Sequence, residues 1–195
     1  PTLFQLCLGI VLSDASMYRV STHSYIKFEQ GKAQKDFLFH IFQIIKQYTF
    51  IETPGTRIDK DKIIKSFWFK TFSHPTFSNI YELFYKDIGL VRKKIISTNI
   101  IKNYLDKEGF SYWIIGDGSL HRDKRVLTLH TQSFSFEENL VLSQELNEKF
   151  ILHSRVVKHK MQYVLQFPTV DANKIHDIIK DTVIDSMKYK IPRKI

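Results

Sequence analysis

Two aspartates stand out for their surroundings. Asp14 closes the stretch LFQLCLGIVLSDAS (3–16), and Asp117 closes GFSYWIIGDGSL (109–120). Each follows an almost wholly apolar run, stands among small residues and has a serine two positions on. The runs read as buried helices, and the C-terminal end of a helix already carries partial negative charge. Taken singly, each aspartate reads as a turn, because Asp-Gly and Asp-Ala-Ser are ordinary helix-exit sequences. Taken together, 103 residues apart in matching contexts, they form a repeat. If the two helices pack side by side, two like charges meet at two negative helix ends, which is costly without compensation. A divalent cation compensates well, since Mg²⁺ takes one or two carboxylates, waters and phosphate oxygens. The chemistry to expect from the pair is the binding of a divalent cation through oxygen ligands.

The elements that would hold this pair repeat as well. After Asp14 comes an alternating strand, SYIKFEQ (24–30), with Ile26 and Phe28 on one face and Tyr25, Lys27 and Glu29 on the other. After Asp117 comes RVLTLHTQ (125–132), with Leu127 and Leu129 on one face and Thr128, His130 and Gln132 opposite. Alternation of period 2 predicts sheets with one packed and one wet face. Helices are expected over KDFLFHIFQIIKQY (35–48), with Phe37, Ile41, Ile44 and Ile45 on a stripe, and over 136–150, with Leu140, Leu142 and Leu146. Ser135 and Glu138 read as a capping box at the start of the latter. Further strand material lies at 62–72 and 154–167, and closing helices are expected at 77–88 and 171–184. The order is helix–strand–strand–helix–strand–strand–helix, twice. Gly9 and Ser13 put small residues on one face of the first helix and permit close approach to its partner.

The remaining features bound the function. A net charge of +9 over 195 residues points to a polyanionic partner such as nucleic acid. One cysteine, Cys7, excludes a disulfide framework or thiolate cluster within a monomer. The longest apolar candidate, LCLGIVL (6–12), is far short of the ~20 residues of a membrane span. No targeting segment is visible ahead of the first helix, which Pro1 almost directly opens. The richness in Lys, Ile, Phe, Tyr and Asn suits an A/T-rich genome such as an organelle's. The eight histidines show no zinc-ligand spacing, and neither a nucleophile elbow nor a glycine-rich phosphate loop is present. Trp68 and Trp113 read as core.

LCLGIVLSDAS and YWIIGDGS, with LHTQSFSFEE (129–138), KYKIP (188–192) and RKKII (92–96), resemble the LAGLIDADG homing endonucleases in the branch with two motif copies per chain. The similarity runs over nearly the whole chain and is to the mitochondrial-intron group. Gly116 stands where that group has the first Asp of a D-D pair, and Asp117 matches the second. The resemblance implies an α+β fold of two pseudo-symmetric αββαββα half-domains, with saddle-shaped antiparallel sheets and a central two-helix interface. Half-domains at 1–90 and 109–195 with a basic linker at 91–108 fit this plan. It implies that Asp14 and Asp117 bind two or three Mg²⁺ ions and that a basic residue from each half lies near the scissile phosphates. By local match these are Lys94 and Lys190, with Lys93 and Lys188 as alternatives.

The sheets would lie in the major groove of double-stranded DNA, where phosphate contacts set affinity and strand side chains read base edges. The candidates are Arg19, Lys27, Glu29, Arg57, Lys65, Lys70, Arg122, Lys124, Arg125, His130, Gln132, Arg155, Lys158 and Lys160. Taken blandly, they are a solvated sheet face. The resemblance further implies a monomer in a mitochondrion or other organelle, cutting both strands of an asymmetric site of roughly twenty base pairs whose phosphates the basic surface would neutralise. Two other readings keep the fold without that activity: a maturase acting on its host intron RNA, and a DNA-binding protein without chemistry.

Overall fold

The computed structural model describes residues 2–89 and 91–195. Pro1 and the half-domain boundary at Leu90 lie outside them. Two helices form the centre: α1, Leu3–Leu12, and α5, Lys107–Asp117. Thr2 caps the first by accepting from Gln5 N, and Asp106 caps the second by accepting from Gly109 N at 2.9 Å. The first is apolar all round because it is enclosed, and Leu6, Cys7, Ile10 and Val11 are fully buried. Close approach needs the missing side chains. A Cβ on Gly9 would stand 2.4 Å from Gly109 O and 2.6 Å from Tyr112 Cβ. A Cβ on Gly116 would stand 2.6 Å from Ser13 Oγ. Gln5 stitches the pair at its other end, donating to Tyr104 O at 2.7 Å and accepting from Asp106 N at 2.9 Å.

Each central helix leads into a four-stranded antiparallel sheet. In the first half β1 (Ser16–Val20), β2 (His23–Gly31), β3 (Gly55–Ile58) and β4 (Ile64–Lys70) take the order β1-β2-β4-β3. In the second, β7 (Gly118–Leu120), β8 (Leu127–Leu129), β9 (Arg155–His159) and β10 (Gln162–Phe167) take the order β7-β8-β10-β9. Helices α2 (Lys35–Ile45) and α3 (Pro75–Phe84) belong to the first half, and α6 (Phe136–Phe150) and α7 (Ala172–Ile179) to the second. The result is αββαββα twice with one strand order, the pseudo-symmetric α+β architecture.

Several expectations shift. The helix expected over 77–88 stops at Phe84, because Tyr85–Ile88 (β5) pairs with Val91–Lys94 (β6) as a separate hairpin. The short helix α4, Ile100–Tyr104, follows it in the connecting segment. The strand expected over 125–132 shortens to Leu127–Leu129, with His130 N donating to Asp117 O at 3.1 Å as a further rung beside it. Residues 154–167 form the two strands that the repeated order requires, whereas β3 carries no apolar alternation to reveal it. The capping box at Ser135 and Glu138 is present. Leu140, however, is 47% exposed, and the buried stripe of α6 runs through Asn139, Leu142, Glu145 and Leu146. Trp113 is core, whereas Trp68 is half-buried and shares the wet face of β4 with Ser66 and Lys70.

Candidate active site

The sharp exits of the two central helices put both aspartates at one end of their interface. Asp117 is the last residue of α5, and the chain turns straight into β7. Asp14 follows the end of α1 by two residues, where Ala15 N donates back to Ile10 O at 2.8 Å. Burial, and then the facing charge of Asp14, push the Asp117 carboxyl up to about 8. Asp14 is held from the other side: Gln30 Nε2 donates to Asp14 Oδ2 at 2.7 Å.

The two lysines complete the arrangement. Lys94, at the end of β6, donates through Nζ to the carbonyls of Val11 and Ser13 at the end of α1. Lys190, in the 3₁₀ turn Asp185–Lys190, donates to Ile115 O at 2.5 Å and Gly116 O at 3.0 Å at the end of α5. Cations at helix C-termini are favourable, yet burial lowers both ammonium groups to about 8 against the upward pull of the two aspartates. Two concavities flank the carboxylate pair. One of about 740 Å³ is lined by Asp14, Asp117, His121, Tyr189 and Lys190, and one of about 530 Å³ by Asp14, Asp117, Tyr85, Arg92 and Lys94. Both aspartates border both spaces, and each space has its own lysine.

Residues 4–175 match the LAGLIDADG DNA endonuclease family. The chain is a member of that family. It is 56% identical over 135 residues to "Probable intron-encoded DNA endonuclease 3" of Mycosarcoma maydis, covering 69% of this chain and 99% of that protein. It is 25% identical over 194 residues to "Probable intron-encoded endonuclease 1" of Wickerhamomyces canadensis, covering 94% and 81%. The solved structure of "the homing endonuclease I-WcaI bound to its DNA recognition sequence" superposes with a TM-score of 0.86 at 25% identity, covering 98% of this chain and 86% of that one.

Strand register places the other candidates of this LAGLIDADG chain. Pleating puts alternate residues on opposite faces, so the wet face of the first sheet carries Tyr18, Tyr25, Lys27, Glu29, Arg57, Ser66, Trp68 and Lys70. Glu29 is its polar hub, with Ser66 Oγ donating at 2.6 Å, Arg57 at 3.0 Å and Lys27 Nζ at 3.5 Å. The wet face of the second sheet carries Ser119, Thr128, Gln166, Arg155, Gln162 and His159. His130 bridges Ser119 at 2.7 Å and Gln132 at 3.1 Å, and Arg155 donates to Gln166 at 2.9 Å. Arg122, Lys124 and Arg125 lie in the β7–β8 turn, the first two lining the larger concavity, and Lys160 lies in the β9–β10 turn.

Three candidates fall elsewhere. Arg19 shares its face of β1 with buried Met17 and therefore points to the helix side, where it pairs with Glu82 and stacks over Tyr81. Lys158 shares its side of β9 with Val156 and faces Tyr163, which packs on Phe136 of α6. Lys65 lies against the acidic β3–β4 turn containing Asp59 and Asp61.

The donor set fits a hard divalent cation. Two carboxylates lie within electrostatic reach of one another beside the carbonyls of two helix ends, and oxygen-only donors of this kind suit Mg²⁺ or Ca²⁺. Among the described residues no group of three or more His, Cys, Asp and Glu forms a closed protein cage. An open pair leaves coordination positions for waters and phosphate oxygens. Sequence reasoning missed Gln30, Tyr85, Arg92, His121 and Tyr189. Gln30 had a signal: it continues the buried register of Ser24, Ile26 and Phe28 on β2, where a polar residue has to find a partner.

Proposed function

We propose that this chain is a single-chain homing endonuclease that makes metal-dependent double-strand breaks at a long asymmetric DNA site. The observation that carries it is the pairing of two carboxylates shared between two spaces, each holding one of the two lysines that bind the central helix ends. A duplex has two scissile phosphates, and a pseudo-symmetric chain offers each its own space. Asp14 and Asp117 would hold the divalent metal, which would supply Lewis-acid stabilisation of the reacting phosphate oxygens. Asp14, oriented by Gln30, and Asp117, fixed at the end of α5, hold the oxygen donors in place. Lys94 and Lys190, with ammonium groups near 8, hold or release a proton beside the reacting phosphate at ordinary pH. The wet sheet faces supply Lys27, Lys70, Arg57 and Arg155 to phosphates and base edges.

Both motif copies in one chain support a monomer with half-domains at 1–90 and 109–195, joined by 91–108. Intron-encoded relatives in fungi support an organellar intron as the gene's home. The test is incubation of purified protein with a randomised duplex library in Mg²⁺, sequencing the cut ends, with Asp117→Asn as control. One long asymmetric motif with staggered ends, lost in the variant, is the expected result. Selective binding without cutting, equal in both proteins, would overturn the catalytic reading.

A further inference from the structure

The two wet faces carry different chemistry. On the second, Ser119, Thr128, Gln166, Arg155 and the neighbouring His121 and His130 donate and accept hydrogen bonds. On the first, aromatic rings stand between the charges. Tyr18 and Tyr25 are cross-strand partners with stacked rings, their centroids 5.2 Å apart. Trp68 lies two rows further along, beyond the Lys27–Lys70 pair, opposite Glu29 and Gly55. A Cβ on Gly55 would stand 2.8 Å from Trp68 Cε2 and 3.0 Å from its Cζ2, so the indole covers the glycine. Trp68, Tyr25 and Lys70 border two adjoining concavities. One, of about 540 Å³, continues to Val20, Phe50 and Phe72; the other, of about 370 Å³, continues to Lys27 and Arg57. Phe50 is 88% exposed and packs on Phe72 at 5.3 Å. Lys27 and Lys70 are direct cross-strand partners, and Lys27 Nζ also pairs with Glu29 at 3.5 Å.

An apolar, ring-lined sector between lysines suits one feature of a duplex. In the major groove the C5-methyl of thymine is the apolar group that identifies a base, and it is surrounded by phosphates that the lysines would meet. We infer that the Tyr25–Trp68 sector of the first sheet, extended by Val20 and Phe72, is a thymine-methyl-reading subsite. The half-site under the N-terminal sheet is then recognised through methyl contacts, and the half-site under the C-terminal sheet through hydrogen bonds. This rests on the proposal that the wet faces lie on DNA.

The experiment replaces thymine by deoxyuridine, which removes the methyl and keeps every hydrogen bond. Target duplexes from the library selection are synthesised with uracil in one half-site or the other, and their dissociation constants are measured with the full chain in EDTA. Each methyl read costs about fourfold in affinity, the value of transferring one methylene-sized group from water. The loss is expected only in the half-site under the first sheet. Trp68→Ala, on an exposed face, should abolish the thymine–uracil difference there, and Gly55→Ala, which forces the ring off its seat, should reduce it. Equal affinity for thymine and uracil duplexes, a loss confined to the other half-site, or discrimination unchanged in Trp68→Ala overturns the subsite. Absence of selective binding to any duplex overturns the endonuclease reading itself, and the subsite with it.

Discussion

Lys94 and Lys190 make the same contact on the two central helices from opposite sides of the pseudo-twofold. Lys94 Nζ donates to the carbonyls of Val11 and Ser13, and Lys190 Nζ to those of Ile115 and Gly116. Because each stands in its own space beside the shared aspartates, each is expected to serve one strand. Lys94→Met and Lys190→Met, which keep the aliphatic stem, should slow opposite strands by about 10²–10⁴-fold, the usual worth of a positioned proton carrier. Nicked duplex should accumulate in each single variant, read by separate end-labels on the two strands. Equal slowing of both strands by either variant would remove the one-lysine-per-strand assignment.

The metal-free protein should have a stability minimum near pH 8. The Asp117 carboxyl is raised from 3.8 to about 8, so between those values the native state holds a proton the unfolded chain has lost. Stability falls as pH rises through that window. Lys94 and Lys190 are lowered from 10.5 to about 8, so between those values the unfolded chain holds the extra protons and stability rises again. Asp117→Asn should remove the falling limb and raise the neutral-pH midpoint by about 2–4 °C for each kcal/mol recovered. It should also abolish cleavage. Thermal melts from pH 4 to 10 in EDTA decide the matter, and a variant no more stable than wild type at pH 8 would refute the reading.

Gly9→Ala should damage stability and activity together. The added Cβ would meet a carbonyl oxygen at 2.4 Å and the Tyr112 Cβ at 2.6 Å, neither of which can swing aside. Overpacking of this kind costs about 1–3 kcal/mol. It also separates the helix ends that carry the aspartates. Gly31→Ala is the control, since a Cβ there meets nothing within 4 Å. Urea midpoints and cleavage rates of the two variants should diverge; matching profiles would show that the central contact tolerates a methyl.

What could be read in advance depended on whether a signal was local. Asp14 and Asp117 were legible because an apolar run ending in a small–Asp–small exit occurs twice. Strand 24–30 was legible because Ile26 and Phe28 alternate strictly with Tyr25, Lys27 and Glu29. β3, with Gly55-Thr56-Arg57-Ile58, lacks such alternation and is held in the sheet by its pairing with β4. Arg19 and Lys158 lie on the helix side because a side chain's face is fixed by strand register, and in short strands a shift of one residue reverses it. Gln30 and Arg92 act through partners 16 and 75 residues away, so no nearby motif marks them.

Arg92 should prove to be a positioning residue for Lys94. β1 is an edge strand of the first sheet, and the β5–β6 hairpin docks on it through side chains rather than a ladder. Met17 N donates to Tyr85 Oη at 3.1 Å, and the Arg92 guanidinium donates to Met17 O while stacking over Tyr18 at 4.1 Å and Tyr85 at 5.2 Å. Lys94 is two residues further on, at the hairpin's end. A planar, stacked donor is not replaced by an ammonium, so Arg92→Lys should loosen the hairpin and misplace the Lys94 amine. The expected signature is a slower turnover of the strand that Lys94→Met affects, with DNA affinity within a few-fold of wild type and the other strand cut normally. Pre-steady-state cleavage of each labelled strand, beside a binding titration, reads all three quantities. A variant that loses affinity and both cuts in proportion would show that Arg92 serves the fold at large and not the placement of Lys94.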